Sequence, residues 1–109
     1  MVSGSHRLVY KWFKDHPAPP GTHGAEFRKR LREHSYIHDL HKPGNRDERV
    51  ARFMERVEDA DGIPLQVIET TGSAGDVILI HPLVLHVAAP NNSREIRFLL
   101  SGGIDRRGL

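Results

Sequence analysis

The chain has 109 residues, of which 38% are apolar and 28% charged, a composition that suits one globular domain and excludes collagen-like and disordered chains. It has no cysteine, which excludes disulfides, thiolate zinc sites and cysteine nucleophiles, so any metal must be held by His, Asp or Glu. A formal net charge of +2 does not demand a nucleic-acid partner, and no apolar run approaches the ~20 residues of a membrane span. With no secretory pattern at the N-terminus, we expect a cytoplasmic protein without nucleic-acid or membrane partners.

The first half of the chain is predicted to be helical. Apolar residues at positions 8, 9, 12 and 13 form one stripe, which predicts a short helix that the prolines at 17–20 bring to an end. Two further helices are predicted over residues 25–40 and 46–60, separated by a Pro-Gly-Asn sequence. The last helix has the clearest apolar face, with spacing i, i+3, i+4, i+7: Val50, Phe53, Met54 and Val57.

The second half of the chain is predicted to form strands. Branched and apolar residues predict strands at 65–69, 77–80, 84–88 and 95–100, with turns at 72–75 and 90–93. We therefore expect one α+β domain over residues 1–109, mainly helical in 1–64 and mainly antiparallel strands in 65–109. Part of a jelly roll (a double-stranded β-helix) fits this order of elements, and so does an unrelated small α+β domain.

The C-terminal strands carry the most specific pattern in the chain. Its marked positions are, in chain order, Gly75, Asp76, His81, His86, Asn91 and Arg97. This order, with eleven residues from His86 to Arg97, resembles the distal half of the phytanoyl-CoA dioxygenase family of non-haem Fe(II)- and 2-oxoglutarate-dependent oxygenases. Near the start of the chain, Gly4, Ser5 and His6 resemble the Gly-Ser/Thr-His element of the same family, so two separate matches occur in the right order.

The resemblance implies a role for five side chains. His86 would be an Fe(II) ligand, and Arg97 would pair its planar guanidinium with the distal carboxylate of 2-oxoglutarate. Ser5 and His6 would line the cosubstrate pocket, and His81 would lie behind the metal ligands or on the side of a small organic substrate. From the residues alone, other roles remain open. His86 would be a structural histidine on a strand, Arg97 would form a surface ion pair, and Ser5 would cap the first helix.

The other two iron ligands of the family are missing from this pattern. The family places a His-x-Asp or His-x-Glu pair upstream, and none of the eight histidines is followed two positions later by an acidic residue. We therefore expect an oxygenase present only in its C-terminal part and inactive on its own. Its partner would then be a missing N-terminal half of the oxygenase, or a second copy of the chain associated through exposed strand edges.

Two alternatives remain open at this stage. One is a small non-catalytic α+β binding or interaction module that uses the basic helical half as its contact surface. The other is a zinc site made by His34, His38 and His41, which a continuous helix would place on one face.

Overall fold

The computed structural model describes residues 1–104. Its elements, in chain order, are β1 (Val2–Ser3), α1 (Ser5–Asp15), α2 (Gly24–Leu31), α3 (Ser35–His41), α4 (Arg46–Phe53), β2 (Glu58–Ala60) and β3 (Ile63–Val67). The predicted α+β class with a helical first half is confirmed. None of the helices in residues 1–104 is long and apolar enough to cross a membrane.

The three strands form one small antiparallel sheet in which β3 is central, with β1 and β2 at its sides. The pairs Val2 with Val67 and Ala60 with Ile63 set the register on the two sides. The β2–β3 hairpin turns at Asp61 and Gly62, which have φ of 55° and 78°. An Asp-Gly pair with positive φ at both positions is the turn that matches the right-handed twist of a two-residue hairpin.

The predicted helix at 25–40 is wrong as one element, because the chain breaks between α2 and α3. His34 is the N-cap of α3, and its Nδ1 accepts a hydrogen bond from the backbone N–H of Tyr36 at 3.2 Å. The predicted helix at 46–60 begins correctly, since the Asn45 carboxamide oxygen caps α4 by accepting from two backbone N–H groups. It ends at Phe53 because the residues from Glu58 onward pair with β3 instead.

The core packs the helices against the hairpin. Among residues 1–104, the buried apolar side chains are Val2, Leu8, Val9, Leu31, Tyr36, Ile37, Phe53, Ala60, Ile63 and Leu65. The predicted apolar stripe of the first helix is therefore confirmed at its two most buried members.

An arginine fork links α3, α4 and β2 at the edge of this core. The guanidinium of Arg52 donates two hydrogen bonds to the Glu58 carboxylate, both at 2.9 Å, and one to Asp39 at 3.0 Å. Hydrogen bonds from Lys42 and then Arg52 hold the pKa of Asp39 below its usual value. The same guanidinium lies 4.7 Å from the centre of the Phe53 ring, so Arg52 packs on this ring in addition to pairing with the two carboxylates.

The predicted strands at 77–80, 84–88 and 95–100 are wrong, since residues 68–104 contain no strand or helix. The strand predicted at 65–69 exists as β3, shifted toward the N-terminus. Strand propensity describes how well a side chain fits a pleated, half-buried surface, so it needs a neighbouring strand to act. The described residues supply no such neighbour beyond β3. Both predicted turns form: Asp76 donates its backbone N–H to the Ser73 carbonyl at 3.0 Å, and the Asn91 side chain closes its turn with hydrogen bonds to Ser93 and Glu95.

This segment consequently exposes large apolar side chains. Val77 is 82% exposed, Leu79 is 79% exposed and Phe98 is 90% exposed. Apolar, uncharged runs with unpaired backbone groups are the type of segment through which chains associate.

We expect the chain to self-associate through the run at 77–80, so that its scattering mass rises with concentration. Leu79→Lys should raise the concentration of half-association roughly tenfold, because burying one leucine contributes about 1.5–3 kcal/mol. Thr71→Lys adds the same charge to the same segment outside the run and should leave association unchanged. Static light scattering over a dilution series measures both variants, and a monomer of constant mass at all concentrations would contradict the expectation.

Candidate functional site

His86 is exposed and lies in the irregular segment that follows the folded core. Its Nδ1 donates to the carbonyl oxygen of Val84, 2.9 Å away, which leaves Nε2 unprotonated in the neutral ring. A nitrogen in this state is ready to bind a metal. The structure over residues 1–104 holds no group of three His, Asp or Glu side chains able to share a metal ion, around His86 or elsewhere.

These residues do not fit an Fe(II) centre. A non-haem iron site of the oxygenase type takes two histidines and one carboxylate on one face of the metal, whereas His86 contributes a single nitrogen. The carboxylates and histidines elsewhere in the described chain are not gathered around it. The iron and 2-oxoglutarate roles predicted for His86 and Arg97 therefore stay predictions.

Arg97 is also exposed, and its guanidinium turns back to its own segment. It donates a hydrogen bond from Nη2 to the carbonyl oxygen of Ala89, across the turn that Asn91 closes. Within the described residues no hydrogen bond joins Arg97 to His86. The two side chains are near each other in sequence, but each is hydrogen-bonded to a backbone carbonyl of its own neighbourhood.

Ser5 has the opposite environment, because it is completely buried at the start of α1. Its hydroxyl donates to the carbonyl oxygen of Val2 at 2.6 Å and accepts from the backbone N–H of Leu85 at 2.9 Å. Val2 in turn donates its N–H to the carbonyl of Leu85 at 2.8 Å. The hydroxyl thus fastens the segment near Leu85 to the N-terminus. The cosubstrate role predicted for Ser5 is not tested by this arrangement.

His6 and His81 are the two predicted site residues that the structure does bring together. Their ring centres lie 5.2 Å apart with planes tilted by 40°, and both line a hollow of about 480 Å³. The Nδ1 of His81 accepts the backbone N–H of Leu83 at 3.1 Å, which fixes this ring over a tight turn. The pair is therefore well placed to contact a small ligand, although no carboxylate cluster joins it to make a metal site in residues 1–104.

The zinc alternative is wrong for His34. Its Nδ1 accepts from Tyr36 and its Nε2 donates to the Asp61 carboxylate at 3.1 Å, so both ring nitrogens are engaged. His34 is the N-cap of α3, and His38 and His41 lie within that helix. The structure over residues 1–104 holds no group of three metal-ligating side chains, so these histidines do not form the predicted zinc site.

Sequence reasoning missed the residues of α1 that border the hollows. Arg7, Lys11 and Lys14 have spacing i, i+4, i+7, a pattern that indicates one helix face and was readable from the sequence. The approach of Leu83 to this face had no local signal, since it depends on the distant bond between Ser5 and Leu85.

A model of the family described as phytanoyl-CoA dioxygenase (PhyH) matches residues 18–99, three quarters of the chain. The matched range includes His81, His86 and Arg97 and does not include Ser5 or His6. No curated protein matches the chain, and no solved structure matches it.

Replacing Ser5 with alanine should lower the free energy of unfolding by about 1–3 kcal/mol, because the Leu85 N–H and the Val2 carbonyl lose their buried partner. Ser3→Ala is the matched control. Ser3 is exposed and its side chain makes no hydrogen bond in the described structure, so we expect a change within about 0.5 kcal/mol. Urea unfolding followed by circular dichroism measures both, and equal effects would show that the Ser5 hydroxyl has no special part in stability.

Proposed function

The chain belongs to the phytanoyl-CoA dioxygenase family, and we propose that it carries two elements of an Fe(II)- and 2-oxoglutarate-dependent oxygenase site without completing that site. The observation that carries the proposal is the family match, whose range includes His86 and Arg97. The order and eleven-residue spacing of these two residues in the sequence support their proposed roles. A small organic molecule would be the substrate of the complete enzyme, and a cytoplasmic location belongs to the same proposal.

The chemistry of Arg97 supports its proposed role. A guanidinium has five N–H donors in a planar fork that matches a carboxylate in a two-point contact. In the described structure Arg97 donates one side-chain hydrogen bond, to Ala89, and forms no ion pair. It therefore retains donors for the distal carboxylate of 2-oxoglutarate.

The ligand set explains why the 109-residue chain is proposed to be inactive by itself. Nothing in the whole sequence provides a His-x-Asp or His-x-Glu pair, and His86 is the single ligand that the family pattern assigns. The jelly roll of the family would also need strands that residues 68–104 do not form. A partner polypeptide that supplies both would be required for turnover.

A second candidate function is a small α+β binding module. Among residues 1–104, every buried apolar side chain lies between Val2 and Leu65, so the core is complete without His86 or Arg97. A folded core of this kind would offer a ligand-binding surface whether or not the oxygenase site is completed.

We expect the purified chain, supplied with Fe(II), 2-oxoglutarate and ascorbate, to produce no succinate above the level of a His86→Ala variant. Manganese titration followed by electron paramagnetic resonance should show no stoichiometric binding, since one imidazole does not hold a divalent ion tightly. Arg97→Ala removes the proposed contact with 2-oxoglutarate and is assayed beside the His86 variant. Succinate formation that both substitutions abolish would overturn the proposed inactivity and establish a functional site in this chain.

A further inference from the structure

The exposed face of α1 carries three cations in one row, which we call the basic stripe: Arg7, Lys11 and Lys14. Like charges at this spacing repel one another and so disfavour the helix. Within residues 1–104 none of the three forms an ion pair with a carboxylate. The ammonium group of Lys11 donates only to the backbone carbonyl of Asp61, at 2.8 Å. An anion bound beside the stripe would relieve this repulsion.

An apolar hollow of about 360 Å³ lies beside the stripe, and we call it the aromatic hollow. It is lined by Val9, Tyr10, Phe13, Lys14, Phe27 and Leu83. The rings of Phe13 and Phe27 stack with their centres 3.9 Å apart and an angle of 11° between planes, which joins α1 to α2. Small-molecule sites have this character, with mostly apolar and aromatic walls and a few polar groups that fix orientation.

The larger hollow beside His6 and His81 adjoins the aromatic hollow, because Tyr10 and Leu83 line both. Arg7 and Lys11 line this larger hollow, as Lys14 lines the aromatic hollow. Its one carboxylate, that of Asp61, accepts a hydrogen bond from His34. Cations therefore outnumber carboxylates along the whole groove, which favours an anionic ligand.

We propose that the aromatic hollow binds an aromatic monocarboxylate. Its ring packs against Phe13, Phe27 and Leu83, and its carboxylate pairs with the ammonium group of Lys14, the one cationic side chain that lines this hollow. A single charged end suits this site, because a dicarboxylate such as 2-oxoglutarate would bring its second charge against an apolar wall. The site includes neither His86 nor Arg97 and does not depend on the oxygenase proposal.

The proposal is tested with 2-naphthylacetate as the probe, titrated into the full chain and followed by calorimetry and by NMR. We expect a dissociation constant on the order of 0.1–1 mM, in keeping with a small ligand in an open groove. Acetate lacks the ring and 2-naphthylethanol lacks the charge. The alcohol should bind about tenfold more weakly than the probe, and acetate and 2-oxoglutarate should not displace it.

Lys14→Glu should weaken probe binding about tenfold while leaving the alcohol unaffected. Lys29→Glu is the matched control, since Lys29 is exposed on α2 and lines neither hollow. If Lys14→Glu does not fold, Lys14→Gln gives the same comparison with a smaller charge change. Phe27→Leu should weaken the probe and the alcohol alike.

Three results would overturn the proposal. The first is equal probe affinity in the Lys14 and Lys29 variants, and the second is tighter binding of 2-oxoglutarate than of the probe. The third is displacement of the probe by a short oligonucleotide, which would assign the basic stripe to a polyanion instead.

Discussion

The arrangement of this protein depends on the buried hydroxyl of Ser5, which joins the first residues of the chain to a segment eighty positions later. It donates to Val2 and accepts from Leu85, while Val2 also donates to Leu85. Gly4 makes this possible. It has φ of 79°, and a Cβ at this position would collide with the backbone carbonyl of Pro64, so only glycine lets the chain pass from β1 into α1 so close to β3. From this one junction follow the position of Leu83 over α1 and the contact between His6 and His81.

The elements that could be predicted are those whose signal is local. The periodicity of α1 and the start of α4 at residue 46 are contained in a few consecutive residues, and the structure has both. The break between α2 and α3 had no comparable signal, because His34 is held by Asp61, which lies twenty-seven positions away. The Asp61–Gly62 hairpin had a local signal, but the prediction used those residues only to end a helix.

The predicted strands failed for a different physical reason. The residues from Val77 to Ile80 have the composition of a buried strand, yet a strand satisfies its backbone groups only by pairing with another strand. In the described structure β3 already has a partner on each side, β1 and β2. The apolar composition therefore remains as exposed surface rather than as a second sheet. Composition indicates what a segment can become, and the presence of a partner decides whether it does.

The same distinction applies to the candidate site. The family match covers both His86 and Arg97, but a match in sequence does not by itself bring two side chains to one site. Here each side chain is held by a carbonyl of its own segment, that of Val84 for His86 and that of Ala89 for Arg97. A ligand that required both would have to break these two local hydrogen bonds and bring the side chains together. The aromatic hollow needs no such rearrangement of its two rings, because Phe13 of α1 and Phe27 of α2 already stack beside it. Ligand binding therefore requires less rearrangement at the aromatic hollow than at His86 and Arg97.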